Sequence, residues 1–247
     1  MKLVKQILKQ NKIFLFNYNY NSFFEGLYRL FGVLVSPLFI NLNPNLISFL
    51  SLLFGLVGMT LSVFFSIKIS YIIFFFLFSF ILDFTDGIVA RFKGKTSFYG
   101  RFIDGLFDII VIGLLHVVFL IHLINKGFIE INSFYFIFFL LLLFLLPIQH
   151  LILDRFSSMA RWCNEINNNK HIKPYYRNIF LSKITKFLFD LQHLCIWILI
   201  FNDFIADYLS IISFFILSFI ASNLNIFIYI YLSKINFLKI KNPSDND

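Results

Sequence analysis

Charge is scarce in this chain. Only 14% of its 247 residues are Asp, Glu, Lys or Arg, while 59% are hydrophobic and 21% aromatic. A water-facing globular surface needs far more charge, so the composition is that of an integral membrane protein of one domain. Cysteine is scarcer still. Cys163 and Cys195 are the only two, and their spacing fits neither a metal-ligand pattern nor a disulfide framework. Residues 2–12 lack a clean apolar core followed by a small-residue cleavage site, which argues against a signal peptide. No internal repeat is visible. The formal charge of +8 would point a soluble protein towards nucleic acid. Here topology accounts for it, and no nucleic-acid partner is expected.

What the chain does have is long apolar runs. Six are long enough to span a membrane, at about 45–67, 70–90, 100–124, 133–153, 187–202 and 208–232. The fifth is the weakest, because Asp190, Gln192 and His193 interrupt it. Residues 2–12 place Leu3, Val4, Ile7 and Leu8 opposite Lys5, Lys9 and Lys12, the pattern of a basic amphipathic helix on an anionic membrane surface. Residues 18–40 continue as a second interfacial helix, and Asn43-Pro44-Asn45 breaks the chain before the first span. With residues 1–42 and the tail 233–247 in the cytoplasm, every Lys and Arg except Lys68 and Lys126 falls on the inner side of the six-span bundle 43–232. That bias supports both the span number and the orientation. The fold predicted is therefore an all-α membrane protein. It is a bundle of about six transmembrane helices with an N-terminal interfacial amphipathic helix and both termini cytoplasmic.

Four of the 13 acidic residues gather between positions 83 and 108. Asp83 and Asp86 are three apart and Asp104 and Asp108 four apart, so on helices each pair shares a face. Facing one another, two such helices aim four carboxylates at one point. A merely structural role is disfavoured. Each buried charge costs roughly 2.5–3.5 kcal/mol and the four together on the order of 10, and Arg91 and Arg101 are too few to neutralise them. Hard divalent cations take carboxylate oxygens. Gly87 and Ala90 lie one turn beyond the first pair and Gly100 one turn before the second, leaving a notch for close approach. Metals beside such a notch imply a diphosphate substrate.

Asp83, Asp86, Gly87, Ala90, Arg91, Gly100, Asp104 and Asp108 together resemble the signature of the CDP-alcohol phosphotransferases. All eight positions and all the spacings are present. The resemblance extends to six spans, with the signature on the second and third, and to Pro44-Asn45 before the first. It implies transfer of a phosphoalcohol or phosphatidyl group from a CDP-linked alcohol to the hydroxyl of a second alcohol, with release of CMP, in phospholipid biosynthesis. It further implies that Asp83, Asp86 and Asp104 hold two Mg²⁺ or Mn²⁺ ions, and that Asp108 completes the second metal site and acts as general base. Gly87, Ala90 and Gly100 would wall the cytidine and ribose pocket, Arg91 would contact phosphate or steady the carboxylates, and Asn45 would close the pocket from the first span. The resemblance alone implies a homodimer. Membrane lipids are the expected surroundings, and the site is expected on the cytoplasmic side.

The acceptor stays open at this level. Phosphatidylglycerophosphate synthases carry Pro and Lys where Gly105 and Ile109 stand here. Choline and ethanolamine phosphotransferases carry Lys-Gln in place of Ile88-Val89, although the segment Tyr18-Asn-Tyr20 resembles theirs. Phosphatidylserine- and phosphatidylinositol-type enzymes remain open. Gln149, His150 and Asp154 on the fourth span and Asp190 and His193 on the fifth are candidate acceptor contacts, each weighed against an ordinary interhelical hydrogen bond. Lys170, His171, Lys173 and Arg177 are candidates for an acceptor phosphate, weighed against a solvated positive-inside loop. His116 and His122 read as packing residues. Two other readings compete. An intramembrane prenyltransferase would place its aspartate motifs far apart in sequence. A divalent-cation carrier would spread its acidic groups through the bilayer.

Overall fold

Polar punctuation sets the helix ends. A computed structural model describes residues 2–11, 22–65, 67–131, 133–166, 179–201 and 205–237. Their regular elements are eight helices: α1 (Lys2–Asn11), α2 (Phe23–Phe39), α3 (Pro44–Phe64), α4 (Ile69–Phe92), α5 (Phe98–Asn125), α6 (Phe134–Ile166), α7 (Ile179–Phe201) and α8 (Ile205–Phe237). Ser22 and Glu25 form a reciprocal capping box that starts α2. Asn43 accepts the Asn45 backbone N–H at 3.2 Å, with Pro44 in the first turn of α3. Ser97 accepts the Gly100 N–H at 2.9 Å and starts α5. Between α4 and α5, Gly94 sits at φ +63°, a left-handed conformation that reverses the chain within a few residues.

Five helices are long and apolar enough to cross a membrane among the described residues: α3, α4, α5, most of α6 and most of α8. The expected fifth span, 187–202, falls on α7 up to Phe201, the last described residue there; α7 carries Lys186, Asp190, Gln192 and His193 and is not one of the five. Two expected boundaries move furthest. α6 runs on to Ile166 and α7 starts already at Ile179, because helices continue past the apolar run that hydropathy detects. Tyr18-Asn-Tyr20, Lys170, His171, Lys173 and Arg177 lie outside the described residues.

The helices pack as two linked groups. α3 lies against α4 and α5, while α8 lies against α6 and α7; α4 meets α7 and α5 meets α6 across the middle. Close approach of α3 to α4 follows from small residues. Ser51 and Ser79 exchange hydroxyl-to-carbonyl bonds at 2.9 and 2.7 Å. A Cβ placed on Gly58 would stand 2.8 Å from the Phe76 ring. The main apolar core runs through α2, α4, α5, α6, α7 and α8, with Phe76, Phe119, Phe215 and Leu142 fully buried. α1 is amphipathic as expected, and its apolar side packs on protein: Ile7 is buried with Val33 and Ile88, flanked by Val4 and Leu8.

Candidate active site

The short loop at Gly94 places two carboxylates at equal depth. Asp86 is six residues before the end of α4 and Asp104 six residues into α5, about 9 Å from the loop on each helix. Asp83 lies one turn below Asp86. Carboxylate oxygens of Asp83, Asp86 and Asp104 all come within 4.8 Å of one another. Ser48 of α3 donates from Oγ to Asp86 Oδ2, so a third helix orients the cluster. Asp86 is buried, and Asp83 and Asp104 are half-buried. Asp104 Oδ1 is buried and has no hydrogen-bond partner among the described residues. An unpartnered carboxylate oxygen among converging carboxylates is an arrangement that a cation completes. The donor set therefore fits a hard divalent metal. Asp108 is not among the carboxylates that meet within this distance. It lines a different cavity, described below.

A pocket of about 140 Å³ opens beside the cluster. It is lined by every residue expected to wall the nucleotide: Asn45, Gly87, Ala90, Arg91 and Gly100, together with Asp86 and Asp104. Gly87 is occupied in part from within the chain. A Cβ there would lie 3.2 Å from Arg91 Nη1, so the guanidinium rests over the glycine. A Cβ on Gly100 would lie 3.0 Å from Ser97 Oγ and 3.1 Å from Asn45 Oδ1, so α3 and α5 meet here only because position 100 carries no side chain. Ser48, Lys95, Ser97 and Arg101 also line the pocket and were not singled out as site residues from the sequence. Ser48 lay within reach of such reasoning, since it follows Asn45 by three residues on one helical face.

A second cavity, of about 280 Å³, lies among α4, α5, α6, α7 and α8. Asp108, Gln149, His150 and His193 line it. Asp154 does not line it and is exposed. Ser218, Ser222 and Asn225 of α8 also face this cavity; their i, i+4, i+7 spacing in an apolar helix was the available signal. His116 is buried, as a packing residue should be, and its ring bonds to the Ile112 carbonyl at 2.8 Å and to Ser218 Oγ at 3.1 Å.

Asp190 is engaged with the start of α2. The backbone N–H groups of Phe23 and Phe24 donate to its Oδ2 at 3.0 Å and Oδ1 at 2.9 Å. A carboxylate of α7 thus caps α2, a favourable pairing with the positive end of a helix. One turn later, Tyr28 reaches His193 Nδ1 at 2.7 Å and receives the Trp197 indole N–H at 3.3 Å. Burial holds the Tyr28 phenol above its ordinary pKa, and the Trp197 hydrogen bond opposes this only in part, so Tyr28 is a hydroxyl donor at neutral pH. Asp190→Ala is expected to destabilise the protein by about 1–2 kcal/mol, read as a lower thermal midpoint in lipid. An unchanged midpoint would show that α2 is held without this cap.

No curated protein matches the chain. Residues 41–218 match the family described as CDP-alcohol phosphatidyltransferase, a stretch that starts just before α3 and ends within α8. It contains the carboxylate cluster and both cavities' α4 and α5 walls, and leaves α1 and α2 outside. The chain belongs to the CDP-alcohol phosphatidyltransferase family.

Proposed function

We propose that this protein transfers a phosphoalcohol or phosphatidyl group from a CDP-linked alcohol to the hydroxyl of a second alcohol, releasing CMP, in a reaction that needs divalent metal. One observation carries the reading: three carboxylates within 4.8 Å, one with an unpartnered buried oxygen, beside a small-residue pocket that also holds Arg91, Lys95 and Arg101. Carboxylates alone would repel a diphosphate. Carboxylates that hold cations attract one, and the flanking basic residues add to that attraction. Bound Mg²⁺ or Mn²⁺ would supply neutralisation of the diphosphate charge. Asp83, Asp86 and Asp104 are the residues proposed to hold it, with Ser48 fixing the orientation of Asp86.

The protein's own part is positioning and proton removal, the main demands of phosphoryl transfer. Asn45, Gly87, Ala90 and Gly100 shape the nucleotide pocket, and Arg91 meets phosphate oxygen. The acceptor oxygen attacks the phosphorus that bears the donor alcohol. Its O–H bond breaks, and the proton passes to Asp108. The new O–P bond forms as the P–O bond to CMP breaks. Asp108 suits this role because it lines the second cavity while lying one helical turn from Asp104 of the cluster. The basic-residue bias of the chain supports a site on the cytoplasmic side.

The test is CMP release by the purified chain in lipid with Mg²⁺ or Mn²⁺. CDP-diacylglycerol, CDP-choline and CDP-ethanolamine are the donors, each offered with an alcohol. Chelation is expected to abolish release, and restored metal to return it. Release unaffected by chelation would overturn the metal role. Absence of release, together with metal transport into vesicles, would favour the cation-carrier reading instead.

A further inference from the structure

The hydrogen bonds around the second cavity have fixed directions, and those directions decide what it offers. The Ile112 carbonyl accepts only, so His116 carries its proton on Nδ1 and presents Nε2 as an acceptor. Ser218 gives its proton to that nitrogen at 3.1 Å. The Ser218 oxygen then accepts the Gln192 side-chain N–H at 3.1 Å, which leaves the Gln192 carbonyl oxygen as the group to accept from a ligand. A second chain runs from α2. Trp197 donates to Tyr28, whose hydroxyl lies 2.7 Å from His193 Nδ1; we assign the phenol proton to that nitrogen, since the pairing uses both the donor and an acceptor position of the hydroxyl. His193 is therefore the Nε2–H tautomer, a neutral donor. Gln192 and His193 both line the cavity that contains Asp108.

The remaining lining is neutral or apolar. Gln149 and Asn225 add amides, and Phe189 and its neighbours form apolar wall. No Lys or Arg occurs among the described lining residues. A charged group transferred from water into such surroundings loses hydration that neutral amides and imidazoles do not replace, whereas a hydroxyl finds both a donor and an acceptor.

We propose that this cavity receives the acceptor as an uncharged alcohol, held by the His193 N–H and the Gln192 carbonyl beside Asp108. Tyr28 is a positioning residue for His193. The proposal rests on the transfer reading above and names the chemistry of its second substrate. A lipid alcohol and a free polyol share that chemistry. Helix α2, which supplies Tyr28, lies outside the residues matched to the family.

The experiment uses the full chain in lipid with Mg²⁺ or Mn²⁺ and reads CMP release. Uncharged acceptors are diacylglycerol, offered with CDP-choline or CDP-ethanolamine, and inositol, offered with CDP-diacylglycerol. Charged acceptors are glycerol 3-phosphate, inositol phosphate and serine, offered with CDP-diacylglycerol. Release is expected with an uncharged acceptor at least about a hundredfold faster than with any charged one. The diacylglycerol and inositol arms distinguish the lipid source from the polyol. Tyr28→Phe is expected to raise the acceptor KM about tenfold, with CMP affinity and donor KM unchanged. Ala221→Phe, which narrows the cavity from its α8 wall, is expected to do the same. Equal or faster use of a charged acceptor would overturn the proposal. So would an acceptor KM unmoved in both variants. In either case continued CMP release would leave the transfer reading standing. No release from any pairing would bring down both.

Discussion

Asp108→Asn is expected to lower CMP release by at least about 10³-fold while the protein still binds CMP with metal. Two observations separate these effects. Asp108 is not one of the three carboxylates that meet within 4.8 Å, and it does not line the nucleotide pocket. It lines the second cavity, one helical turn beyond Asp104 on α5. An amide has nearly the same shape as a carboxylate but cannot take a proton at neutral pH, and loss of a general base costs typically 10²–10⁴-fold. The measurement is single-turnover CMP release alongside equilibrium CMP binding. Turnover near the parent's would remove Asp108 from the base role. Loss of CMP binding together with turnover would instead make Asp108 a metal ligand, the second role that the family signature implies for it.

Gly87→Leu is expected to weaken CMP binding by at least about a hundredfold, near 2.7 kcal/mol. The first added carbon already stands 3.2 Å from Arg91 Nη1, so the guanidinium must leave the glycine. The rest of the side chain then enters a pocket of about 140 Å³. Two effects add: the cytidine loses space, and the diphosphate loses a placed cation. Gly113→Leu is the control. A Cβ at Gly113 meets nothing within 4 Å, and the residue lies on α5 away from the pocket. If the two substitutions weaken CMP binding equally, helix disruption is the cause and the pocket assignment falls. If Gly87→Leu leaves CMP affinity unchanged, the nucleotide binds elsewhere.

These predictions rest unequally on sequence and on structure. The eight signature positions from Asp83 to Asp108 and the apolar runs around them were legible because their physics is local. Spacings of three and four residues determine a helical face whatever surrounds it, and an apolar run of about twenty residues has few stable solutions other than a membrane span. The gathering of Asn45 with Gly87, Ala90, Arg91 and Gly100 was also within reach, through the family resemblance.

Contacts between distant segments were not legible. Asp190 was open between an acceptor contact and an interhelical hydrogen bond, and only the docking of α2 on α7 showed that it caps a helix 166 residues away in the chain. The family resemblance implied for Asp108 both a metal-site role and a base role, and its spacing from Asp104 does not say which cavity it faces. Only the packed helices show Asp108 lining the second cavity while Asp83, Asp86 and Asp104 meet within 4.8 Å. The polarity of that cavity depends on hydrogen bonds joining α2, α5, α7 and α8, none of which periodicity within one helix can encode. The sequence by itself determined the helices, their apolar faces and the chemistry they carry. Tertiary structure alone decided which polar groups are consumed in holding the helices together and which are left for a ligand, because the partner of a buried polar side chain is chosen by packing.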